Sequence, residues 1–273
     1  MGELKMNDLF KYLLSSFDST RLAFGWITEE QFNYFKKHFH NLGCDMKAFI
    51  SYSSKDKEIA GAIKLAFERL GIEAFLAHKD IVPSKEWQEE IIKRLRVTNI
   101  FVPVLTDNFK QSDWTDQESG AAFIRDIEII PISINTTDGS YVNPYGFIGK
   151  YQTLKYTVDS TTLKLNRAKI VDGIQTELSK TLQTKTKILK NIRNCFVNAL
   201  VNSLNYADAN ATSDAVKFFK PFSKKQLKMI VFGYVFNSQV NGAGSASSVV
   251  YRLIEDNLAH LDSITKSIYK KNR

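Results

Sequence analysis

A tryptophan and a glutamate four residues apart stand in the segment Ser112-Asp113-Trp114-Thr115-Asp116-Gln117-Glu118. On a helix that spacing places both on one face. A carboxylate so placed can stabilise a developing positive charge and accept hydrogen bonds from hydroxyls. An indole beside it offers a flat apolar surface to a ring. The plain structural readings are a core tryptophan at a helix start and a glutamate on a helix surface. A second polar stretch, Ser51-Tyr52-Ser53-Ser54-Lys55-Asp56, follows the apolar run Ala48-Phe49-Ile50. Its residues either line a crevice at the end of a strand or cap the helix that follows.

Other chemistries lack their residues. The two cysteines, Cys44 and Cys195, have no CxxC partner, and their distance in sequence suggests separate buried thiols rather than a disulfide or a metal site. The four histidines show no HExxH or comparable ligand spacing, so no metal is expected. No GxGxxG follows the first strand, which argues against the dinucleotide fingerprint of dehydrogenases. No apolar run approaches the ~18–20 residues of a membrane span. Met1–Phe17 lacks the uninterrupted apolar core of a signal peptide, so a cytoplasmic location is expected.

The elements that must position Trp114 and Glu118 lie in residues ~46–157. Short apolar runs alternate there with helical patterns. Strands are expected at Ala48–Ile50, Glu73–Leu76, Ile100–Leu105 and Ile127–Ile134. A helix opening at Ser53-Ser54-Lys55-Asp56 carries Ile59, Ile63, Ala66, Phe67 and Leu70 on one face. The next, from Ser84, turns Trp87, Ile91, Ile92 and Leu95 inward, and a third starts near Asp113 and includes Ala121 and Ala122. Strand–helix alternation with continuously apolar strands implies crossover connections and a parallel sheet covered on both faces. In such a doubly wound sheet the ligand crevice lies outside the C-terminal strand ends. The loops Ser51–Asp56, Ala77–Lys85 and Thr106–Asp113 would gather there.

Four segments in order resemble the TIR (Toll/interleukin receptor) family, in its bacterial, NAD-cleaving form. They are Phe49–Asp56, the run Phe75-Leu76-Ala77-His78-Lys79-Asp80-Ile81-Val82-Pro83-Ser84-Lys85-Glu86-Trp87, the Trp114…Glu118 segment, and Pro144–Gln152. The resemblance implies a flavodoxin-like α/β fold with NAD+ as substrate and no resident cofactor. The reaction would release nicotinamide and leave ADP-ribose or a cyclic isomer. Glu118 would be the catalytic carboxylate and Phe49, Ser51, Tyr52 and Trp114 would bind substrate. Nicotinamide leaves as a neutral base from a cationic ring, so the demand on the protein is to stabilise an oxocarbenium-like sugar. Lys55 or Lys79 could meet the pyrophosphate. The loop carrying Ala77, His78, Ile81 and Trp87 would contact a neighbouring TIR copy, with Ala77-His78 standing where many relatives have an acidic or polar pair. The implied setting is antiphage or abortive-infection defence, with activation by oligomerisation. A non-catalytic TIR scaffold is the alternative.

Three domains are expected: a helical segment at 1–45, the α/β domain with its last helix at 46–184, and a helical domain at 185–273. The last carries fourteen Lys/Arg against five Asp/Glu, within a chain of net charge +8. That excess fits either a nucleic-acid-binding helical module or a sensing and oligomerisation domain with a solvated basic face. The second is favoured, because Ser248–Leu258 offers only Arg252 as a basic residue. Nucleic acid is therefore not the expected partner. The expected partners are further TIR copies, with a phage- or nucleotide-derived trigger or a partner protein at the C-terminal helices. Amphipathic helices are expected at Asn166–Thr184 and Lys187–Leu204, a polar break at Asp208–Ser213, and a capping box at Ser223–Gln226.

Overall fold

A computed structural model describes residues 42–77, 87–111, 113–135, 140–158 and 166–272 of the 273. The chain divides into two compact units, one of Cys44–Cys195 and one holding Phe196–Arg273 with the N-terminal residues. The expected helical segment at 1–45 lies almost wholly outside the described residues.

The first unit runs β1 (Lys47–Ser51), α1 (Lys57–Arg69), β2 (Glu73–Leu76), α2 (Trp87–Val97), β3 (Ile100–Leu105), α3 (Asp113–Ile124), β4 (Glu128–Ile129), β5 (Ile132–Asn135), β6 (Leu154–Thr157) and α4 (Arg167–Leu182). Among the described residues the sheet has the order β2-β1-β3-β5-β6, with β4 pairing β3 just ahead of β5. Every pairing is parallel. This is the doubly wound α/β order, in which the order of strand addition reverses between β1 and β3. The inner strands β1, β3 and β5 are almost wholly buried, as both-sided cover requires, while β2 and β6 at the edges are partly exposed.

Register sorts the side chains by face. Phe49 aligns with Phe75 and Phe101, Ser51 with Pro103, and Leu105 with Ser133. In-register neighbours of a parallel sheet share a face, so these residues point the same way. Phe49, Phe101 and Leu105 pack there with Ile91 and Leu95 of α2 and Ala122 of α3. On α2 the expected apolar stripe is narrower than read: Ile92 is 50% exposed while Ile91 and Leu95 are buried. Ile92 follows Ile91 by about 100°, which rotates it off the sheet. On α3 Ala122 is buried and Ala121 exposed, for the same reason.

Two local features depart from the expected strands. Pro131 divides the stretch Ile127–Ile134 into β4 and β5, because proline brings no N–H to the ladder. The edge strand β6 was not anticipated. It is four residues long and carries Lys155, features that blunt an edge and hide it from a pattern search.

α1 ends where the sequence provides a stop. Gly71 has φ 77°, and its N–H donates to Glu68 O while Ile72 N–H donates to Phe67 O. This pair of bonds closes the helix and turns the chain into β2. Opposite, α4 is capped by Asn166, whose side chain accepts from Lys169 N. Gly173 of α4 lets the Tyr156 ring of β6 pass, since a Cβ there would sit 2.1 Å from the phenolic oxygen.

Cys44 and Cys195, expected as separate thiols, form a disulfide with a sequence separation of 151. The fold brings the two ends of the first unit together, which sequence distance does not reveal.

The helix α5 (Leu189–Val201) contains the boundary between the units. The second unit continues with α6 (Tyr206–Ser213), α7 (Val216–Phe219), α8 (Lys224–Phe236), α9 (Ser238–Asn241), α10 (Gly244–Asp256) and α11 (Ser263–Lys271). The expected polar break at Asp208–Ser213 is instead the helix α6. Asn205 caps it by accepting from Asp208 N, and Ala209, Thr212 and Ser213 supply its buried face. The capping box of α8 forms as read, with Ser223 and Gln226 serving each other's backbone. Phe196, Phe219, Phe222, Phe232 and Phe236 are buried in this unit's core. Among the described residues no helix is long and apolar enough to cross a membrane.

Candidate functional site

In a doubly wound sheet the place for a ligand crevice is where the strand order reverses, here at the C-terminal ends of β1 and β3, whose crossovers leave in opposite directions. Ser51 ends β1 at that point and is fully buried. α3, which follows β3, brings Glu118 to the same side. Glu118 is only 2% exposed. Among the described residues neither carboxylate oxygen, nor Ser51 Oγ, has a hydrogen-bond partner.

A buried carboxylate without donors is costly when charged. Burial pushes Glu118 up from 4.5 to about 7, while the facing Ser51 hydroxyl pulls slightly the other way without completing a hydrogen bond. Near neutrality Glu118 thus holds its proton about half the time. Such a group can switch charge state in response to a cationic or hydroxyl-bearing ligand, and a structural glutamate on a helix surface cannot.

Two loops frame this carboxylate, and side chains tie them together. Thr106 Oγ1 donates to Asp56 Oδ2 at 2.6 Å, and Asn108 Nδ2 donates to Asp56 Oδ1 at 3.0 Å. The sequence suggests that Ser53 and Asp56 cap the first helix. Neither makes a side-chain cap bond, and Asp56 instead spans from the β1 loop to the β3 loop. A short helical turn, Phe109–Gln111, follows. Its Phe109 carbonyl accepts from Thr115 Oγ1 at 2.9 Å, which anchors the first turn of α3. Farther round α3, Tyr145 O–H donates to Asp116 at 2.8 Å, and Lys110 Nζ lies 4.9 Å from the Tyr145 ring centroid. Phe147 stacks on Phe123 with centroids 5.1 Å apart. The stretch Tyr141–Tyr151 is thereby held along α3.

The anticipated substrate-binding residues fall into two groups. Ser51 and Glu118 come together, and Trp114 sits half-buried one turn before Glu118 on α3. Phe49 is fully buried, with ring centroids 5.3 Å from Phe75 and 6.0 Å from Phe101, and belongs to the floor of the sheet. Tyr52 is buried as well. Lys55 is exposed and donates to Gln111 at 3.4 Å. Ala77 lies in the core beside Phe49, whereas Lys79, His78 and Ile81 fall outside the described residues, as does the Trp87 side chain. Sequence reasoning missed Asp56, Thr106 and Asn108 as a group. Each is an ordinary loop residue by type, and 50 positions separate Asp56 from Thr106.

A model of the TIR domain family matches residues 48–163. No curated protein matches the chain. Among solved structures, the TIR domain of the Toll-related receptor TRR-2 from Hydra magnipapillata is 22% identical, with a TM-score of 0.34. The match covers 47% of this chain and 97% of that one.

Proposed function

Starting from the TIR domain at residues 48–163, a family whose members signal or cleave NAD, we propose that this protein cleaves NAD+ between nicotinamide and ribose. Glu118 is the catalytic carboxylate of this reading. The observation that carries it is a carboxylate at the switch point of the sheet that is 2% exposed and has no hydrogen-bond partner among the described residues. A fold does not keep such a group for stability, since burying it unpaired costs free energy.

The chemistry asks little more of the side chain. The nicotinamide ring is already cationic and departs as a neutral base, so no acid is needed to expel it. Positive charge then grows on the ribose, and a carboxylate in a dry site opposes it strongly. Its oxygens, free of protein partners, can accept from ribose hydroxyls. Ser51 Oγ, beside Glu118, is unpartnered among the described residues and can donate to a ribose oxygen, while an attacking water donates its proton to the Glu118 carboxylate. Trp114, one turn away, supplies an aromatic face. ADP-ribose or a cyclic isomer would follow, and the expected setting remains antiphage defence, with TIR copies assembling to activate.

The test is nicotinamide release from NAD+ at high protein concentration, wild type beside Glu118→Ala. Release by wild type alone is expected. Release by neither, with copies forced together by fusion to an oligomeriser, moves the protein to the non-catalytic scaffold. Equal release by both removes Glu118 from the chemistry.

A further inference from the structure

We propose that Asp56 is a positioning residue that sets the distance between Ser51 and Glu118 by clasping the β1 loop to the β3 loop; this rests on the reading of Glu118 as the working carboxylate. The geometry is a continuous chain of contacts. Ser51 ends β1, and five residues later Asp56 accepts from Thr106 Oγ1 at 2.6 Å and from Asn108 Nδ2 at 3.0 Å, one bond to each carboxylate oxygen. Thr106 and Asn108 open the turn whose Phe109 N–H donates to Thr106 O. The Phe109 carbonyl takes the Thr115 hydroxyl, and Glu118 follows three residues later on the same helix. Thr115 O in turn accepts from Ser119 Oγ at 2.7 Å, next to Glu118.

The two Asp56 bonds join segments 50 and 52 positions apart through side chains, which backbone ladders do not duplicate; the later links are local to the turn and the start of α3. β1 and β3 pair directly, but their described register ends at Ser51 with Pro103. Pro103 has no N–H to donate, so its nitrogen gives β3 no hold on the loop leaving β1. Asp56 supplies that hold with a charge-assisted pair of bonds, the stronger kind. Without it the β3 turn and the start of α3 can shift away from β1. Water then reaches Glu118, and its fit to the ribose loosens. Asp56 does not itself face the reacting atoms in this arrangement, so its loss acts on the transition state rather than on substrate affinity.

Three full-length variants test this. Asp56→Ala removes both acceptors. Thr106→Val, nearly isosteric, removes one donor and guards against a misfolded alanine variant. Asp56→Asn keeps both bonds, because its carbonyl accepts from Asn108 and its amide donates to the Thr106 hydroxyl. Thermal unfolding establishes that each folds, and carboxyl carbon NMR follows the titration of Glu118. In Asp56→Ala and Thr106→Val the Glu118 midpoint should drop clearly from about 7 towards 4.5. NAD+ turnover should fall by about tenfold or more with KM within about twofold. Asp56→Asn, which keeps the bonds without their charge, should stay closer to wild type than to Asp56→Ala in both. An unmoved Glu118 midpoint in the folded Asp56→Ala and Thr106→Val proteins would overturn the proposal, as would an Asp56→Asn protein as impaired as Asp56→Ala. If wild type cleaves no NAD+, the catalytic reading fails, while the Glu118 midpoint still decides whether Asp56 positions it.

Discussion

At Glu118 the same burial has opposite consequences for stability and for catalysis. Its proton-binding midpoint rises from 4.5 to about 7 because burial penalises the charged form. Between those values the native chain binds more protons than the unfolded one, so stability falls as pH rises through that window. Below 4.5 both states are protonated and nothing is lost; above about pH 8 the full loss, about 3 kcal/mol, has accrued. Glu118→Gln removes the titration. Its stability relative to wild type should therefore be nearly pH-independent below 4.5, climb between 4.5 and 7, and leave the variant the more stable protein at pH 8. Urea unfolding at pH 4.5, 6 and 8 reads this directly, and a constant difference across the three would mean that the carboxylate is not desolvated. Activity runs the other way. If the ionised form opposes the sugar's charge, kcat/KM for NAD+ rises with pH and levels off above about 7. In kcat the inflection should lie lower, since a bound nicotinamide cation favours the carboxylate. Glu118 stands out in the sequence through the resemblance of its Trp-x-x-x-Glu segment to NAD-cleaving TIR domains, but its burial does not. Spacing says which face a side chain takes, and burial to 2% depends on the loops packed over it.

Among the elements, close approach explains what periodicity could not. In the second unit α8 meets α5 at Gly233, where an added Cβ would lie 2.5 Å from Val201 Cβ and 2.9 Å from its Cα. Alanine is the better helix former by about 1 kcal/mol. Here the steric cost should win, because a backbone atom cannot swing aside as a flexible side-chain end can. Gly233→Ala should destabilise by about 1–3 kcal/mol. Val201→Gly, which removes Cβ at 2.5 Å and Cγ1 at 2.6 Å, should recover part of that loss, and a double-mutant cycle by thermal unfolding measures the coupling. Additive effects would show that the helices do not meet there. The sequence places a glycine within the helical run Lys224–Phe236 without saying what it faces. The same limit applies to strands. β1 to β3 read directly as apolar runs between turn signals, because both their faces are covered. β6 lies at the edge, alternates Leu154, Lys155, Tyr156 and Thr157, and is four residues long, so it escapes notice. By composition α6 suggests a break, because Asp208, Asn210 and Ser213 favour turns. Its cap at Asn205 and its burial of Ala209 and Thr212 decide for helix.

At the scale of the whole molecule, the disulfide shows how topology overrides sequence distance. Cys44 lies three residues before β1 and Cys195 follows α4, so the bond ties the start of the sheet to the chain that leaves it. These two cysteines are the first and last residues of the compact first unit. In that unit the order β2-β1-β3-β5-β6 keeps β1 inside the sheet, beside neighbours added much later along the chain. Ends 151 residues apart thus become neighbours by folding alone, and the bond then bars the unfolded chain from separating them. Loop-closure entropy makes a ring of this length worth several kcal/mol in the chain-entropy account, with measured native disulfides at about 2–5 kcal/mol. Reducing the bond should therefore lower the unfolding midpoint while leaving the folded sheet and its circular dichroism unchanged at low temperature. Cys44→Ser with Cys195→Ser should unfold at the same denaturant concentration as the reduced wild type and be indifferent to dithiothreitol. If nicotinamide release at saturating NAD+ survives reduction at temperatures well below that midpoint, the bond is a tether for the fold alone. Nothing between Cys44 and Ser51 needs it for register, since Lys47 N–H already donates to Asn99 Oδ1 at 2.8 Å and Glu73 N–H to Met46 O at 3.1 Å. Activity lost together with the disulfide, while the sheet stays folded, would instead place the tether among the groups that hold Ser51 against Glu118.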